Sequence, residues 1–252
     1  KRLKEHLIEV APSDFVFLAL QGAQNYGLET ELSDVDSKLM TIPSFADLVH
    51  NRKALSTTRI LENNEHCDLK DIRLFVQCLK KQNINFVEIL FTDFKIINSK
   101  YVDAVEPLFL YRELIARYSP VQAAACIKGM VYQKQKALCH PYASKMDILE
   151  KYGYDPKQLH HILRFSDFLT NYLDNKSYKY CLTTYKDAQK LKDIKSGKLI
   201  FDVDYARQLA DETVEQISET VDAFRNSYNM KSEGQNKKKK RVEKIFEGVI
   251  ED

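Results

Sequence analysis

The sequence predicts an α+β fold, with a small mixed β-sheet in its N-terminal part and a mostly helical C-terminal region. Strand-like runs, either compactly apolar or alternating, are confined to residues 15–70. From residue 72 onward, apolar residues recur at intervals of three and four, which is the spacing of amphipathic helices. The chain has 7 glycines and 6 prolines among 252 residues, and this scarcity favours long regular elements with few tight turns.

The first 70 residues predict one helix and four strands. Apolar residues fall on one side of a short amphipathic helix over residues 1–10. The run Phe15–Leu20 is apolar throughout, as in a buried strand. The later strands show alternation and strand-forming residues, and Pro43 ends the second of them. The four strands are predicted at residues 15–20, 33–42, 54–61 and 66–70.

The rest of the chain predicts helices separated by prolines. The helices are expected at residues 72–79, 85–92, 107–118, 121–138, 157–174, 203–228 and 242–250. Four prolines are expected between these helices or at their starts, where proline is best tolerated, namely Pro107, Pro120, Pro141 and Pro156. We therefore divide the chain into a core domain at 1–115, a helical domain at 116–230, and a basic C-terminal tail and helix at 231–252. The run Lys237–Arg241 makes that tail basic, and 232–236 is typical of a linker.

Composition excludes several classes of protein. Hydrophobic residues at 44% and charged residues at 29% are ordinary for a globular protein, and no run approaches the roughly 18 apolar residues of a membrane span. We expect no membrane partner. A net charge of +2 means that any attraction for nucleic acid must come from local patches. Five cysteines without a CxxC pair indicate reduced thiols, and with no signal-peptide pattern this favours a cytoplasmic location.

The segment 22–36 carries the strongest functional signal. Gly22 and Gly27 follow a predicted buried strand, where absent Cβ atoms let backbone amides approach a bound phosphate. Asp34 and Asp36 point to the same face of an extended strand, because side-chain direction repeats every two residues. A divalent cation such as Mg²⁺ would remove the repulsion between them. A solvated turn capped by Ser33 and Asp34 is the simpler alternative.

A third acid on a neighbouring strand would complete a two-metal site, and Asp68 has the required apolar neighbours. Asp71 and Glu65 lie close enough in sequence that a small error in the strand boundary would exchange them with Asp68. Tyr26 could stack on a base or a sugar, although a loop tyrosine more often packs on the core.

Lys157, His161 and Arg164 are spaced i, i+4 and i+7, so one helix face would carry three potential cations. Such a face could grip phosphates or an acceptor backbone. The alternative is a solvent-facing helix stripe.

Taken together, these motifs resemble the nucleotidyltransferase superfamily typified by DNA polymerase β. That signature is a Gly-Ser pair after the first strand, Asp-x-Asp on the second and a lone Asp on a later one. It is matched here by Gly22-Ala23, Asp34-Val35-Asp36 and Asp68. The likeness extends to polymerase-β-like proteins of a predicted RNA-repair pathway, through three motifs. The family's Gly-x-x-x-Tyr-Gly-Leu followed by Ser-Asp-x-Asp is matched at Gly22–Leu28 and Ser33–Asp36. The other two motifs are matched at Lys81, Asn83, Asn85, Glu88 and Leu90, and at Lys157, His161 and Arg164.

The resemblance implies a metal-dependent transferase. Asp34, Asp36 and Asp68 would be catalytic and would hold two Mg²⁺ or Mn²⁺ ions. Gly22, Ala23 and Gln24 would cradle the phosphates of a nucleoside triphosphate. A nucleoside monophosphate would pass to a hydroxyl acceptor, such as an RNA end or tRNA, with pyrophosphate released. Tyr26, Lys157, His161 and Arg164 complete the expected nucleotide-binding set.

Ala23 is a departure from the family pattern, because Ser usually follows the first glycine. The hydroxyl that Ala23 lacks is worth about 1.5–3 kcal/mol when it binds a charged phosphate oxygen. This leaves two alternatives open. One is a degenerate module that binds nucleotide or RNA without transfer, and the other is a toxin-type transferase that modifies tRNA or protein.

Overall fold

The computed structural model describes residues 1–12, 14–31, 33–228 and 236–251. Within them the predicted fold class is confirmed, because one mixed sheet is followed by a helical region. The strands are β1 Phe15–Gln21, β2 Asp36–Thr41, β3 Ser56–Ile60, β4 His66–Asp71 and β5 Lys95–Ile97. The helices are α1 Arg2–Val10, α2 Phe45–Val49, α3 Ile72–Lys80, α4 Ile84–Val87, α5 Val102–Leu110, α6 Arg112–Ala116, α7 Pro120–Ala137, α8 Met146–Tyr152, α9 Pro156–Leu173, α10 Tyr178–Thr183, α11 Ala188–Lys195, α12 Val203–Tyr228 and α13 Asn236–Glu251.

The sheet has the strand order β3-β4-β2-β1-β5 in the described part of the chain. β2 and β4 run parallel, with Lys38 opposite Asp68, whereas the other neighbouring pairs are antiparallel. The four predicted strands are all present. The edge strand β5 was not predicted, because three residues are too few to display alternation.

The two faces of the sheet are covered by different helices. On one face Leu18 and Leu39 pack with apolar residues of α1. On the other face Phe17 meets Phe75 of α3 and Phe109 of α5 edge-on, with ring centroids 5.5 and 5.4 Å apart. Because side chains alternate along a strand, Asp36, Lys38 and Asp68 project from this second face, on the same side as Phe17.

The chain forms two compact units. The first comprises Lys1–Gly27, Ser33–Ser119 and Glu233–Asp252, and the second comprises Leu28–Leu32 and Pro120–Ser232. The boundary at Ser119 lies close to the predicted one at residue 115. The final helix α13 packs on α3, α5 and α6 of the first unit, although we expected it in a separate tail. Of the predicted linker at 232–236, residues 232–235 lie outside the described residues.

In the second unit, α9 is the central helix. It packs against α7, α10, α11 and α12, and its buried residues include Leu159, Ile162 and Phe165. The Asp155 carboxylate caps α9 by accepting a hydrogen bond from the Lys157 amide, and Pro156 follows at the first helical position. This is the arrangement that the sequence predicts for the start of a helix.

Two details correct the predicted helices. Pro107 lies inside α5 rather than at a helix start, as the sixth residue of that nine-residue helix. The short helices α2, α8, α10 and α11 were missed, because fewer than nine residues show little periodicity. No helix in the described ranges is long and apolar enough to cross a membrane.

Candidate functional site

The glycine loop and the two aspartates lie at one end of neighbouring strands. β1 ends at Gln21, which is paired with Asp36, the first residue of antiparallel β2. Gly22 follows with φ 97°, a conformation that side chains disfavour, and turns the chain into a single 3₁₀ turn over Ala23–Asn25. The loop and the carboxylate segment therefore meet at the same end of this strand pair.

Side chains of the loop fix it to its surroundings. The Asn25 side-chain amide donates to the Leu20 carbonyl, and the Gln24 side-chain amide donates to the Asp34 carbonyl, each at a distance of 2.8 Å. The Gly22 amide donates to the buried Glu88 carboxylate at 3.4 Å. No acceptor among the described residues faces the amides of Ala23 and Gln24. Gln24 therefore couples the loop to the aspartate segment, and these two amides stay available to an anion.

The Tyr26 side chain is buried within the first unit and packs in the core. This is the more common fate of a loop tyrosine. The expected role of Tyr26 in nucleotide binding stays a prediction.

Asp34 and Asp36 are held differently. Asp34 is exposed and pairs with no cation in the part of the chain that the structure describes. Asp36 is partly buried, and its Oδ1 accepts a hydrogen bond from the His66 amide at 3.0 Å, with His66 Nδ1 at 3.5 Å. A backbone donor thus orients Asp36 without neutralising it, and both carboxylates keep their capacity to bind a cation.

A buried polar network under the aspartate segment was not predicted. Glu65 is 1% exposed and accepts the Val35 amide at 2.9 Å, at the residue between the two aspartates. The same carboxylate contacts Arg2 and accepts from His6 Nε2 at 2.7 Å. Arg2 and His6 lie one turn apart on α1, so this helix supports the aspartate segment through Glu65.

The protonation of His6 follows from its two partners. Burial lowers the pKa of the His6 imidazole, although Glu9 opposes that effect. The neutral ring must donate from Nε2, because the Glu65 carboxylate only accepts. Nδ1 then accepts from the Ser37 hydroxyl at 2.8 Å. Ser37 is adjacent to Asp36 in β2, so the network also holds this strand.

Asp68 lies on the same sheet face as Asp36 but two residues further along the strands. Its Oδ2 is 2.7 Å from the Lys38 ammonium, and its Oδ1 accepts from the Thr58 hydroxyl at 2.7 Å. Lys38 is 3% exposed and lies over the Phe86 ring, 4.4 Å from the centroid. Burial would raise the pKa of Asp68, but Lys38 and Thr58 outweigh burial, so its pKa is lowered.

Asp71 and Glu65, the two acids close to Asp68 in sequence, make other interactions. Asp71 caps α3 through the Arg73 amide and binds the Arg73 guanidinium through both carboxylate oxygens. Glu65 belongs to the buried network with His6. Asp68 is thus the one of the three acids that shares a face with Asp36.

The aspartates fit a metal only in part. Asp34 and Asp36 offer the oxygen ligands that Mg²⁺ prefers. Asp68 has both oxygens engaged by Lys38 and Thr58, and the ammonium would repel a cation placed there. In the described ranges no three His, Cys, Asp or Glu side chains are grouped so that they could hold a metal. That Asp34, Asp36 and Asp68 together hold two ions stays a prediction.

The three residues predicted on one helix do lie on α9, in the second unit. Lys157 is exposed, His161 is half-buried, and Arg164 is buried with its guanidinium 4.4 Å from the Phe165 ring centroid. Burial and the nearby Arg164 charge lower the pKa of His161 well below its usual value. His161 is therefore a neutral imidazole, not the third cation that was expected. That these residues bind the same nucleotide as Gly22 stays a prediction.

No family model matches this chain, and no curated protein matches it.

Proposed function

We propose that this protein is a metal-dependent nucleotidyltransferase of the polymerase β type. It would transfer a nucleoside monophosphate from a nucleoside triphosphate to a hydroxyl acceptor, of which an RNA end is the first to test. The carrying observation is the pairing of Gln21 with Asp36, which sets the glycine loop beside the Asp34–Asp36 carboxylates at one end of β1 and β2.

Each part of this site suits one part of a metal-bound triphosphate. The amides of Ala23 and Gln24 are free to donate to phosphate oxygens, and Gly22 permits the close approach of backbone. Asp34 and Asp36 would hold the divalent cation, which neutralises developing phosphate charge when it is bound. Transfer forms the bond between the acceptor oxygen and the α-phosphorus and breaks the bond between the α-phosphorus and the oxygen that bridges to the β-phosphate. Pyrophosphate is released, and the proton of the acceptor hydroxyl passes to solvent water.

The environment of Asp68 limits its role. A carboxylate whose pKa is lowered by Lys38 is a weak proton acceptor at neutral pH, so Asp68 suits the binding of a polar group better than general base catalysis. Ser56, Thr58, Lys70 and Phe86 line a surface cavity beside Asp68. We propose that this cavity binds the hydroxyl acceptor.

A transfer assay tests the proposal. The full chain is incubated with each α-labelled ribonucleoside triphosphate, Mg²⁺ or Mn²⁺, and total RNA, beside the variant Asp34→Asn/Asp36→Asn. The exposed Asp103→Asn on α5 is the matched control. We expect label in RNA with the wild type and the control, and a loss of about 100-fold or more in the double variant. Equal labelling by the double variant would refute the assignment.

Two observations favour a second candidate, a nucleotide-binding module without transfer. Asp68 is occupied by Lys38 and Thr58, and Ala23 lacks the usual hydroxyl. A module of this kind would bind nucleotide without Mg²⁺ and would be unaffected by Asp36→Asn. If no label is transferred, Ala23→Ser separates the candidates, because a silenced enzyme would regain transfer and a binding module would not.

A further inference from the structure

A small polar cavity in the second unit is lined by α9, by α10 and by the segment that follows α10. The wall from α9 consists of Asp167, Thr170 and Asn171, whose spacing of i, i+3 and i+4 places them on one helix face. Tyr180 and residues 184–186 line the rest. The volume of about 210 Å³ is below the range of drug-sized pockets, so the cavity suits a smaller ligand. We call it the α9 cavity.

Two hydrogen bonds fix the walls of the α9 cavity to each other. The Lys186 amide donates to Asp167 Oδ2 at 3.1 Å, and the Asn171 side-chain amide donates to the Thr184 carbonyl at 3.0 Å. Both bonds join α9 to the segment after α10. The polar groups of the cavity are therefore held in place before a ligand binds, which lowers the cost of ordering them.

The charge of Asp167 is only partly compensated, although this residue is 9% exposed. Its Oδ1 accepts no hydrogen bond from the residues that the structure describes. The Lys186 ammonium is 4.0 Å from Oδ1, which is beyond hydrogen-bond distance, and the Lys186 side chain is 79% exposed. Burial raises the pKa of the Asp167 carboxyl, against the opposing effects of the Lys186 amide and charge. A buried carboxylate in this state is stabilised by a further cation.

The two groups beside Asp167 on α9 offer further acceptors. The Thr170 hydroxyl donates its proton to the Ser166 carbonyl at 3.0 Å, so towards a ligand its oxygen can only accept. Asn171 Oδ1 has no donor within the described ranges. An ammonium group has three donors and no acceptor, and therefore matches three such oxygens. The Tyr180 ring, at the same cavity, can contact the alkyl chain or the charge of an amine.

We propose that the α9 cavity binds a small primary aliphatic amine in its ammonium form, which donates to Asp167 Oδ1, Thr170 Oγ1 and Asn171 Oδ1. A neutral ligand would leave the Asp167 charge uncompensated, and an anion would be repelled by it. The exposed Lys186 ammonium turns to solvent when the amine binds. The site lies wholly within the second unit, and the proposal does not rest on nucleotidyl transfer.

Calorimetric titration of the full chain with 1,4-diaminobutane at low salt tests the site. We expect Asp167→Asn to bind the diamine roughly tenfold or more weakly than the wild type, because a charge-assisted hydrogen bond is lost. The asparagine oxygen can still accept from the Lys186 amide, so the cavity wall is kept. Asp174→Asn, at the exposed carboxylate directly after α9, is the matched control and should bind as the wild type does. Equal affinity of the wild type and Asp167→Asn, or no binding by the wild type, would refute the site.

Lys186→Met gives a second test that does not endanger the fold, because this side chain is 79% exposed. Removal of the competing ammonium should tighten diamine binding roughly two- to fivefold. Lys190→Met, at an exposed lysine of α11, should leave the affinity unchanged. Weaker binding by Lys186→Met would overturn the proposal, because a ligand that accepts a hydrogen bond from Lys186 is not an ammonium.

Two further titrations establish the class of ligand and its place. 1,4-Butanediol has the same carbon chain with hydroxyl groups, and we expect no measurable binding. Affinity for the diol equal to that for the diamine would make the cavity a polyol site and overturn the proposal. Asp34→Asn/Asp36→Asn should bind the diamine as tightly as the wild type. Loss of binding in that variant would place the amine at the aspartates of the first unit instead, whereas loss of transfer alone would concern only the proposed enzyme.

Discussion

Acidification should destabilise the second unit through His160. This imidazole is 1% exposed, and its Nδ1 is 2.9 Å from the Leu191 carbonyl of α11, to which it donates. Burial is the main cause that lowers the pKa of His160, to about 3, against a usual 6.5. A protonated ring is therefore much less stable in the folded state than in the unfolded state.

The sign and size of the effect follow from proton linkage. The pKa of His160 is lower in the folded state than in the unfolded state. The free energy of unfolding is therefore highest above pH 6.5 and decreases as the pH falls towards 3. Between pH 7.5 and 5.0, the pKa values of about 3 and 6.5 correspond to a loss of about 2 kcal/mol in the free energy of unfolding. The loss would reach about 4 kcal/mol at pH 3 and approach its limit of about 5 kcal/mol only below that pH.

Urea unfolding followed by circular dichroism measures this effect at both pH values. His160→Asn places an amide nitrogen as many bonds from Cα as Nδ1, so it can donate to Leu191 and cannot titrate. We expect its loss of unfolding free energy between pH 7.5 and 5.0 to be about 2 kcal/mol smaller than that of the wild type. His140→Asn, at an exposed histidine, is the control. Parallel losses for the wild type and His160→Asn would refute the reasoning.

Three other predictions concern single contacts. Asp68→Asn should lower the free energy of unfolding, measured by urea unfolding, by about 1–3 kcal/mol, because it leaves the buried Lys38 ammonium without its anion. Adding Lys38→Met to this variant should restore part of the loss. This prediction would be contradicted if the free energy of unfolding fell as much in Lys38→Met/Asp68→Asn as in Asp68→Asn. Gly197→Ala should cost about 1–2 kcal/mol, because φ is +70° and the new Cβ would lie 2.6 Å from the Tyr152 hydroxyl. At Gly129, inside α7, a new Cβ would meet no atom within 4 Å, so Gly129→Ala should instead stabilise the chain by about 0.5–1 kcal/mol. Thermal melts measure both variants. Melting temperatures that shift in the same direction for Gly197→Ala and Gly129→Ala would contradict both predictions.

The strands that form the site could be predicted because their patterns are local. Phe15–Leu20 is apolar along its whole length, and alternation predicted the second strand at 33–42. The structure begins that strand at Asp36, so Asp34 precedes it and does not lie on the strand as predicted. The pairing of β2 with β4 is not local, because it sets residues about 30 positions apart side by side. For this reason the sequence pointed to Asp68 as a third acid but did not reveal that Lys38 would neutralise it.

The support beneath the aspartates could not be predicted for the same reason. His6 and Glu65 are separated by 59 residues, and nothing in the spacing of either residue marks the other. One signal was available for Lys38, because it follows Asp36 by two residues and must share its face. A lysine on that face indicates that a carboxylate lies opposite it, and the sequence analysis did not use this indication.

The way in which charge is compensated differs between the aspartates and the acids around them. Glu65 pairs with Arg2, Asp68 with Lys38, and Asp71 with Arg73. Asp36 is instead held by a backbone amide, and Asp34 has no cationic partner in the described part of the chain. These three acids are paired with Arg or Lys, whereas Asp34 and Asp36 have no Arg or Lys partner among the described residues, so their charge stays available for a ligand. This contrast, more than the Asp-x-Asp spacing itself, supports a cation-binding role for Asp34 and Asp36.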